Sequence, residues 1–190
     1  MKRISFYPLL FFILSGCNSD SNTTDSNTPS SSPSAPTETV TLAESVKKSL
    51  ELSYSNHEPQ LDRTESLEGT DDDGNGVRDD IDMIISYTDA DETVKQALIQ
   101  HAKSLQNEMK VDWDSLGEEE SKAAMRQLSS DSIRSKRCLM ESLGSGFSKV
   151  TRTLRALTYN TKARTMQYLK GNKVANGMAF SIGGNENACE

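Results

Sequence analysis

Hydrophobic residues recur at helical spacing along most of the chain from about residue 41 onward. The clearest apolar face has lysine and glutamine on the opposite side and comprises Val94, Ala97, Leu98, Ala102, Leu105 and Met109. This spacing predicts an amphipathic helix with one buried face. Asp89 and Glu92, three residues apart, predict a capping box at its start.

Two further patterns precede this helix. Leu42, Val46, Leu50 and Leu52 predict a helix over about 41–54, whereas segment 55–70 is polar, contains proline and glycine, and is predicted to be irregular. A second helix is predicted to start near Asp79, directly after an acidic segment. Its apolar face is Ile81, Ile84 and Ile85.

The C-terminal half continues the helical pattern. Segment 117–143 predicts one long helix or two, with a possible break and a new N-cap at 129–131. The next apolar face comprises Phe147, Val150, Leu154 and Leu157. A last helix is predicted from Asn160 or Thr161 to about Lys170, with its inward face formed by Ala163, Met166 and Leu169. Because no stretch alternates as a strand does, the predicted fold is all-α, with five or six helices in one domain, 41–190.

The acidic segment Asp71–Asp82 has the spacing of a calcium loop. A twelve-residue loop of the EF-hand kind places oxygen ligands at positions 1, 3, 5, 7, 9 and 12 and glycine at position 6. Gly76 occupies position 6. The predicted Ca²⁺ ligands are Asp71, Asp73, Asn75, the carbonyl of Val77, Asp79 and Asp82.

The loop resembles the solitary calcium loops of dockerin and thrombospondin type 3 repeats. Position 8, which is aliphatic in paired EF-hands, is Arg78 here, position 12 is Asp82 rather than glutamate, and no second loop is present in the sequence. The resemblance implies a stabilising calcium site rather than a paired sensor that opens a groove. The alternative interpretation is a solvated acidic turn, since Asp, Gly and Asn are common in loops.

The first residues resemble a bacterial lipoprotein signal peptide. Lys2 and Arg3 precede a short apolar run, which ends in Leu14-Ser15-Gly16-Cys17. This resemblance implies that 1–16 is cleaved and that Cys17 is acylated, which anchors the protein to a membrane. Asn18, rather than aspartate, after the cysteine favours the outer membrane of a two-membrane cell. An ordinary secretory signal or the buried start of a domain are the alternatives.

Segment 17–40 is dominated by Ser, Thr, Asn, Asp and Pro. It lacks the apolar periodicity needed to bury a core, so it is predicted to be a flexible linker between the lipidated cysteine and the domain. The remaining cysteines, Cys138 and Cys189, are predicted to form a disulfide, because an exported protein encounters oxidising conditions. The competing interpretation makes Cys138 a nucleophile near His57 or His101.

Charge is divided unevenly along the chain, which carries a net charge of −7. Residues 41–120 contain 21 acidic and 7 basic residues, whereas residues 121–173 contain 12 basic and 2 acidic ones. The basic segment 121–173 is predicted to form a solvated surface for an acidic protein or an anionic envelope polymer. Equally, it could face the acidic half of the same domain. A tethered envelope protein without reading elements is not expected to bind nucleic acid.

No catalytic motif accompanies these features. The sequence has no Gly-x-Ser-x-Gly, no His-Glu-x-x-His and no phosphate loop. The chain is therefore predicted to be a non-enzymatic, membrane-anchored envelope lipoprotein whose calcium site stabilises a helical interaction domain. A calcium-dependent envelope hydrolase is one alternative. An inhibitor or immunity-type protein that binds an acidic partner through its basic surface is another.

Overall fold

Six helices and no strand form the part of the chain that the structure describes, residues 40–57, 61–182 and 187–190. The structure is a computed structural model. In chain order the helices are α1 (Leu42–His57), α2 (Asp79–Ser86), α3 (Glu92–Met109), α4 (Glu118–Leu143), α5 (Phe147–Thr158) and α6 (Lys162–Ala175). The all-α prediction is confirmed, and all six helices lie in one compact unit. The predicted signal peptide, Cys17 and the linker lie, apart from Val40, outside the described residues.

Helix α3 is the central element, and it contacts α2, α4, α5 and α6. Its predicted apolar face is buried throughout, from Val94 to Met109. The predicted capping box at its start is wrong, because the N-cap is Asp91, whose side chain accepts a hydrogen bond from the Val94 N–H at 2.8 Å. Helix α1 packs mainly on α5 and, to a lesser extent, on α2.

Helix α4 runs without a break from Glu118 to Leu143. The possible break at 129–131 does not occur, because no glycine or proline interrupts this stretch and Gln127 donates to Asp131 one turn later at 3.1 Å. Gly117 is the N-cap of the helix and Gly144 is its C-cap. Gly144 and Gly146 both have positive φ, at 65° and 96°, and the turn into α5 depends on this conformation.

Helix α6 faces the core with polar residues, which contradicts the predicted inward face. Met166 and Leu169 are each 48% exposed, whereas Arg164, Gln167 and Gly171 are buried. The physical reason is that Arg164 and Gln167 face carbonyl groups of the irregular segment 62–67 and of the C-terminal end of α3, which need hydrogen-bond donors rather than apolar contacts. The predicted cap itself is confirmed at Thr161, whose side chain accepts from the Arg164 N–H at 3.2 Å.

The C-terminal tail is attached to the helices by its cysteine. The Sγ atoms of Cys138 and Cys189 lie 2.04 Å apart, at disulfide distance, as the sequence predicts. Gln100 of α3 donates to the Ala188 carbonyl beside it at 2.9 Å, and Ala188 is buried. The interpretation of Cys138 as a nucleophile is therefore wrong. Within the described residues, no helix has both the length and the apolar character needed to cross a membrane.

Candidate metal centre

The acidic loop Asp71–Asp82 lies between an irregular segment and α2. Residues 61–70 contain no helix, so the loop has no entering helix next to it, as predicted. Its last four residues are the first turn of α2, where Asp79, Asp80 and Asp82 occur. Carboxylates in the first turn of a helix are stabilised by the positive end of the helix dipole.

Three of the predicted ligand side chains converge. Carboxylate oxygens of Asp71, Asp73 and Asp79 all lie within 4.8 Å of one another. Two unit charges about 5 Å apart repel by about 3 kcal/mol at an effective dielectric constant near 20. A bound cation would remove this repulsion. The three residues come from positions 1, 3 and 9 of the loop, so the folded backbone produces the cluster that the spacing predicts.

One oxygen of Asp71 has no partner although it is buried. Oδ2 of Asp71 accepts a hydrogen bond from the Gly76 N–H at 3.0 Å, whereas Oδ1 is buried without any hydrogen bond among the described residues. Burying an unpaired carboxylate oxygen is costly. A metal ion bound to Oδ1 would satisfy it, so the residues present fit a hard cation. Gly76, at φ 86°, turns the chain back to make this contact.

The remaining predicted ligands surround this cluster. Asn75 donates from Nδ2 to Asp73 at 2.9 Å and more weakly to Asp82 at 3.4 Å, while its Oδ1 accepts from the Val77 N–H at 2.8 Å. Burial raises the pKa of Asp82, and the negative charges of Asp73 and Asp79 raise it further. Asp82 lies outside the cluster of three carboxylates and is connected to it through Asn75. Val77, whose carbonyl is the predicted position-7 ligand, is itself buried at 1% exposure.

Arg78, between two ligand positions, has a role that the sequence interpretation missed. It is 1% exposed, and its guanidinium group pairs with Asp80, with Nη2 to Oδ2 at 2.9 Å. It also donates to the carbonyls of Thr158 at 3.1 Å and Leu157 at 3.2 Å, at the C-terminal end of α5. The loop is thus bonded directly to a helix about eighty residues away. The sequence signal that could have indicated this role is a charged residue at position 8 of the loop, which is normally aliphatic in paired EF-hands.

A second buried arginine holds the segment before the loop. Arg164 of α6 is fully buried and donates to the carbonyls of Asp62, Ser66 and Leu67. Its assignment to the solvated basic surface is therefore wrong. Burial opposes the ionisation of Asp62, but hydrogen bonds from Thr64 and the charge of Arg164 outweigh it and lower the pKa of Asp62 to about 2.

The two arginines belong to one polar network. Asp80, which pairs with Arg78, also accepts from the Asp62 N–H at 2.7 Å, and Asp62 in turn pairs with Arg164 at 3.4 Å. Burial and the nearby charge of Arg78 lower the pKa of Arg164. The network therefore connects α5 to the metal loop through Arg78, the metal loop to the irregular segment through Asp80 and Asp62, and the irregular segment to α6 through Arg164.

Comparison of this chain with known protein families, curated proteins and solved structures finds no match. The chemistry of the site must therefore be inferred from its own residues. Aspartate, asparagine and backbone oxygens are hard ligands, which suit Ca²⁺ or Mg²⁺ rather than transition metals. The arrangement can hold a cation and order the start of α2.

Proposed function

We propose that this protein is a membrane-anchored lipoprotein of a bacterial cell envelope, in which the loop Asp71–Asp82 binds Ca²⁺ and stabilises a helical interaction domain. The observation that carries the proposal is the unpartnered buried oxygen of Asp71 beside the carboxylates of Asp73 and Asp79. The ion would neutralise these charges and hold them at the end of the irregular segment. Its role here is structural.

The choice of Ca²⁺ follows from the number and type of ligands. Calcium accepts six to eight oxygens in flexible geometry, whereas magnesium requires a near-ideal octahedron and retains several waters. The proposed ligands are the side chains of Asp71, Asp73, Asn75, Asp79 and Asp82 and the carbonyl of Val77. A flexible set of six oxygens, all of them on one twelve-residue loop, favours the larger ion.

The contacts of Arg78 explain why occupancy of the loop would matter to the whole domain. Val77 and Asp79, on either side of Arg78, are both proposed ligands, so a bound ion would fix the backbone from which the arginine projects. Arg78 then reaches the last carbonyls of α5. Metal binding and folding are therefore expected to be coupled.

The calcium proposal is tested by calorimetric titration of the soluble domain with CaCl₂. Asp71→Ala combined with Asp73→Ala should abolish the binding heat, because it removes two of the three clustered carboxylates. Asp72→Ala is the matched control, since Asp72 is exposed and contacts the loop through its backbone N–H, which donates to Asp79 at 3.1 Å. Equal binding by the double variant and the control would refute the site.

The envelope location depends on Cys17 and its preceding residues. The pairing of Cys138 with Cys189 is compatible with it, because disulfides persist in oxidising compartments. In cells given a labelled fatty acid, the protein should become labelled and fractionate with membranes. Cys17→Ala should lose the label, whereas Cys138→Ala combined with Cys189→Ala should retain it. A Cys17→Ala protein that is still acylated would contradict the anchor.

A further inference from the structure

A separate cavity of about 320 Å³ lies on the side of α3 that faces α4 and α6. Its walls come from α3, α4, the end of α5 and α6, and Phe180 of the tail also lines it. A volume of this size suits a small organic molecule. None of the proposed metal ligands lines it, so what it binds is independent of the calcium site.

Two basic side chains line this cavity without a hydrogen-bonded or ion-paired carboxylate among the described residues. Lys136 of α4 and Arg155 of α5 are both partly buried, and neither forms a hydrogen bond or an ion pair with any described residue. The Arg155 guanidinium lies over the ring of Tyr168, with its central carbon 5.7 Å from the ring centroid. Such stacking orients the guanidinium but leaves its N–H donors available. Lys149 and Lys170, by contrast, pair with Glu44 and Asp114.

The only acidic side chain in the described lining of the cavity is already hydrogen-bonded. Glu108 accepts from the Tyr159 hydroxyl at 2.6 Å, and burial raises the pKa of Glu108. Burial and the neighbouring charge of Arg155 lower the pKa of Lys136, and the charge of Glu108 opposes this shift only in part. With two cations and one carboxylate, the cavity carries a net positive charge. An anion would relieve the repulsion between the two basic groups and supply the acceptors that they lack.

Apolar side chains form much of the remaining lining. Leu105, Met125, Leu128, Ile133 and Phe180 line the cavity together with the stacked rings of Tyr159 and Tyr168, whose centroids are 5.0 Å apart. An inorganic ion alone would leave this surface in contact with water. The lining therefore matches a molecule with one charged end and an apolar body.

We propose that this cavity binds a small organic anion, with its carboxylate or phosphate group between Lys136 and Arg155 and its apolar body against Leu105, Met125 and Phe180. Both head groups accept the paired hydrogen bonds that a guanidinium donates. The binding function is additional to the calcium site and does not depend on it.

The test is a titration of the ¹⁵N-labelled domain, followed by NMR, with hexanoate, hexyl phosphate and hexanol. Saturable shifts should appear at cavity amides, such as that of Ser132, with hexanoate or hexyl phosphate and be much weaker with hexanol. The stronger of the two acids identifies the head group. No saturable shift with either acid, or equal binding of hexanol, would overturn the proposal.

Two matched variants then test the charge. Arg155→Met keeps an apolar stem but removes the guanidinium, so affinity for the preferred acid should fall by about tenfold or more. Arg152→Met removes an exposed arginine from the same helix and should change affinity less than about twofold. Equal weakening by the two variants would show that general surface charge, and not the cavity, holds the anion.

Folding of the variants is checked by far-ultraviolet circular dichroism. If Arg155→Met unfolds, Lys136→Met provides the same comparison from α4. The unmodified protein gives an independent result, because the location of its shifts does not depend on any variant. An acidic polymer provides the last comparison. If it shifts the amide signals of exposed residues while neither acid shifts those of the cavity, the basic residues bind a macromolecular partner and the proposal is overturned.

Discussion

At the scale of single residues, Arg78 belongs to the acidic loop by sequence but bonds to α5 with its side chain. It occupies position 8 of the metal loop, yet its side chain points away from the predicted ligands, into the core, and ends on the carbonyls of Leu157 and Thr158. The last carbonyls of a helix have no partner within the helix. A buried guanidinium paired with Asp80 satisfies two of them and keeps its charge neutralised.

Removing this side chain should be strongly destabilising. Arg78→Met leaves Asp80 buried at 9% exposure without its counter-ion, and such losses cost about 3–5 kcal/mol. Urea unfolding with calcium present measures the change in the free energy of unfolding. Arg63→Met, which removes an exposed arginine upstream of the loop, should cost less than about 0.5 kcal/mol. Similar stabilities of the two variants would contradict the role of the buried pair.

At the scale of elements, α6 shows how a helical pattern can be assigned to the wrong face. Met166 and Leu169 repeat at helical spacing and suggest a core face, but they are half exposed. Gln167, which is 4% exposed, donates instead to the carbonyls of Glu108, in the last turn of α3, and Val111, just after it. Periodicity predicts that a helix exists, whereas the face it buries depends on what lies opposite.

The two faces of α6 should respond oppositely to truncation. Gln167→Ala leaves two carbonyls without their donor and should destabilise the domain by about 1–3 kcal/mol. Met166→Ala removes an exposed side chain and should change stability by less than about 0.5 kcal/mol. Thermal unfolding of both variants provides the comparison. A larger loss for Met166→Ala would restore the face that the sequence pattern predicts.

For the whole molecule, the charge split along the chain is partly neutralised by folding. Lys149 pairs with Glu44 at 2.8 Å, Lys170 pairs with Asp114, and Arg164 is buried against Asp62. These contacts support the interpretation that the basic segment faces the acidic half of the same domain. Exposed pairs of this kind contribute little to stability. Arg152 remains exposed, so a basic surface for a partner is still a prediction.

The pairing of Cys138 with Cys189 acts at the same scale, since it closes a loop with a sequence separation of 51 residues. In the chain-entropy model such a loop contributes about 4 kcal/mol by restricting the unfolded chain. Reduction should therefore lower the urea midpoint markedly. Cys138→Ala combined with Cys189→Ala should reproduce the reduced protein and show no further response to reductant. A midpoint unchanged by reduction would contradict this contribution.

The sequence by itself determined the features that local physics controls. Helical periodicity predicted five or six helices, and six are present among the described residues, although α6 ends at Ala175 rather than near Lys170. Ligand spacing predicted the convergence of Asp71, Asp73 and Asp79, because neighbouring residues on a short loop have little freedom in how they meet. The acylation of Cys17 is likewise a prediction from a local motif. These signals need no knowledge of distant partners.

Only the tertiary structure decided which distant groups meet. Arg78 reaches α5 about eighty residues away, and Arg164 reaches Asp62 about a hundred residues away. The cavity beside Lys136 and Arg155 is formed by four helices and the tail. Each of these follows from how the helices pack, because the same type of polar residue is solvated on one helix face, as Arg152 is, and buried on another, as Arg164 is. Packing therefore determined which charges are buried and paired and which remain available to bind a ligand.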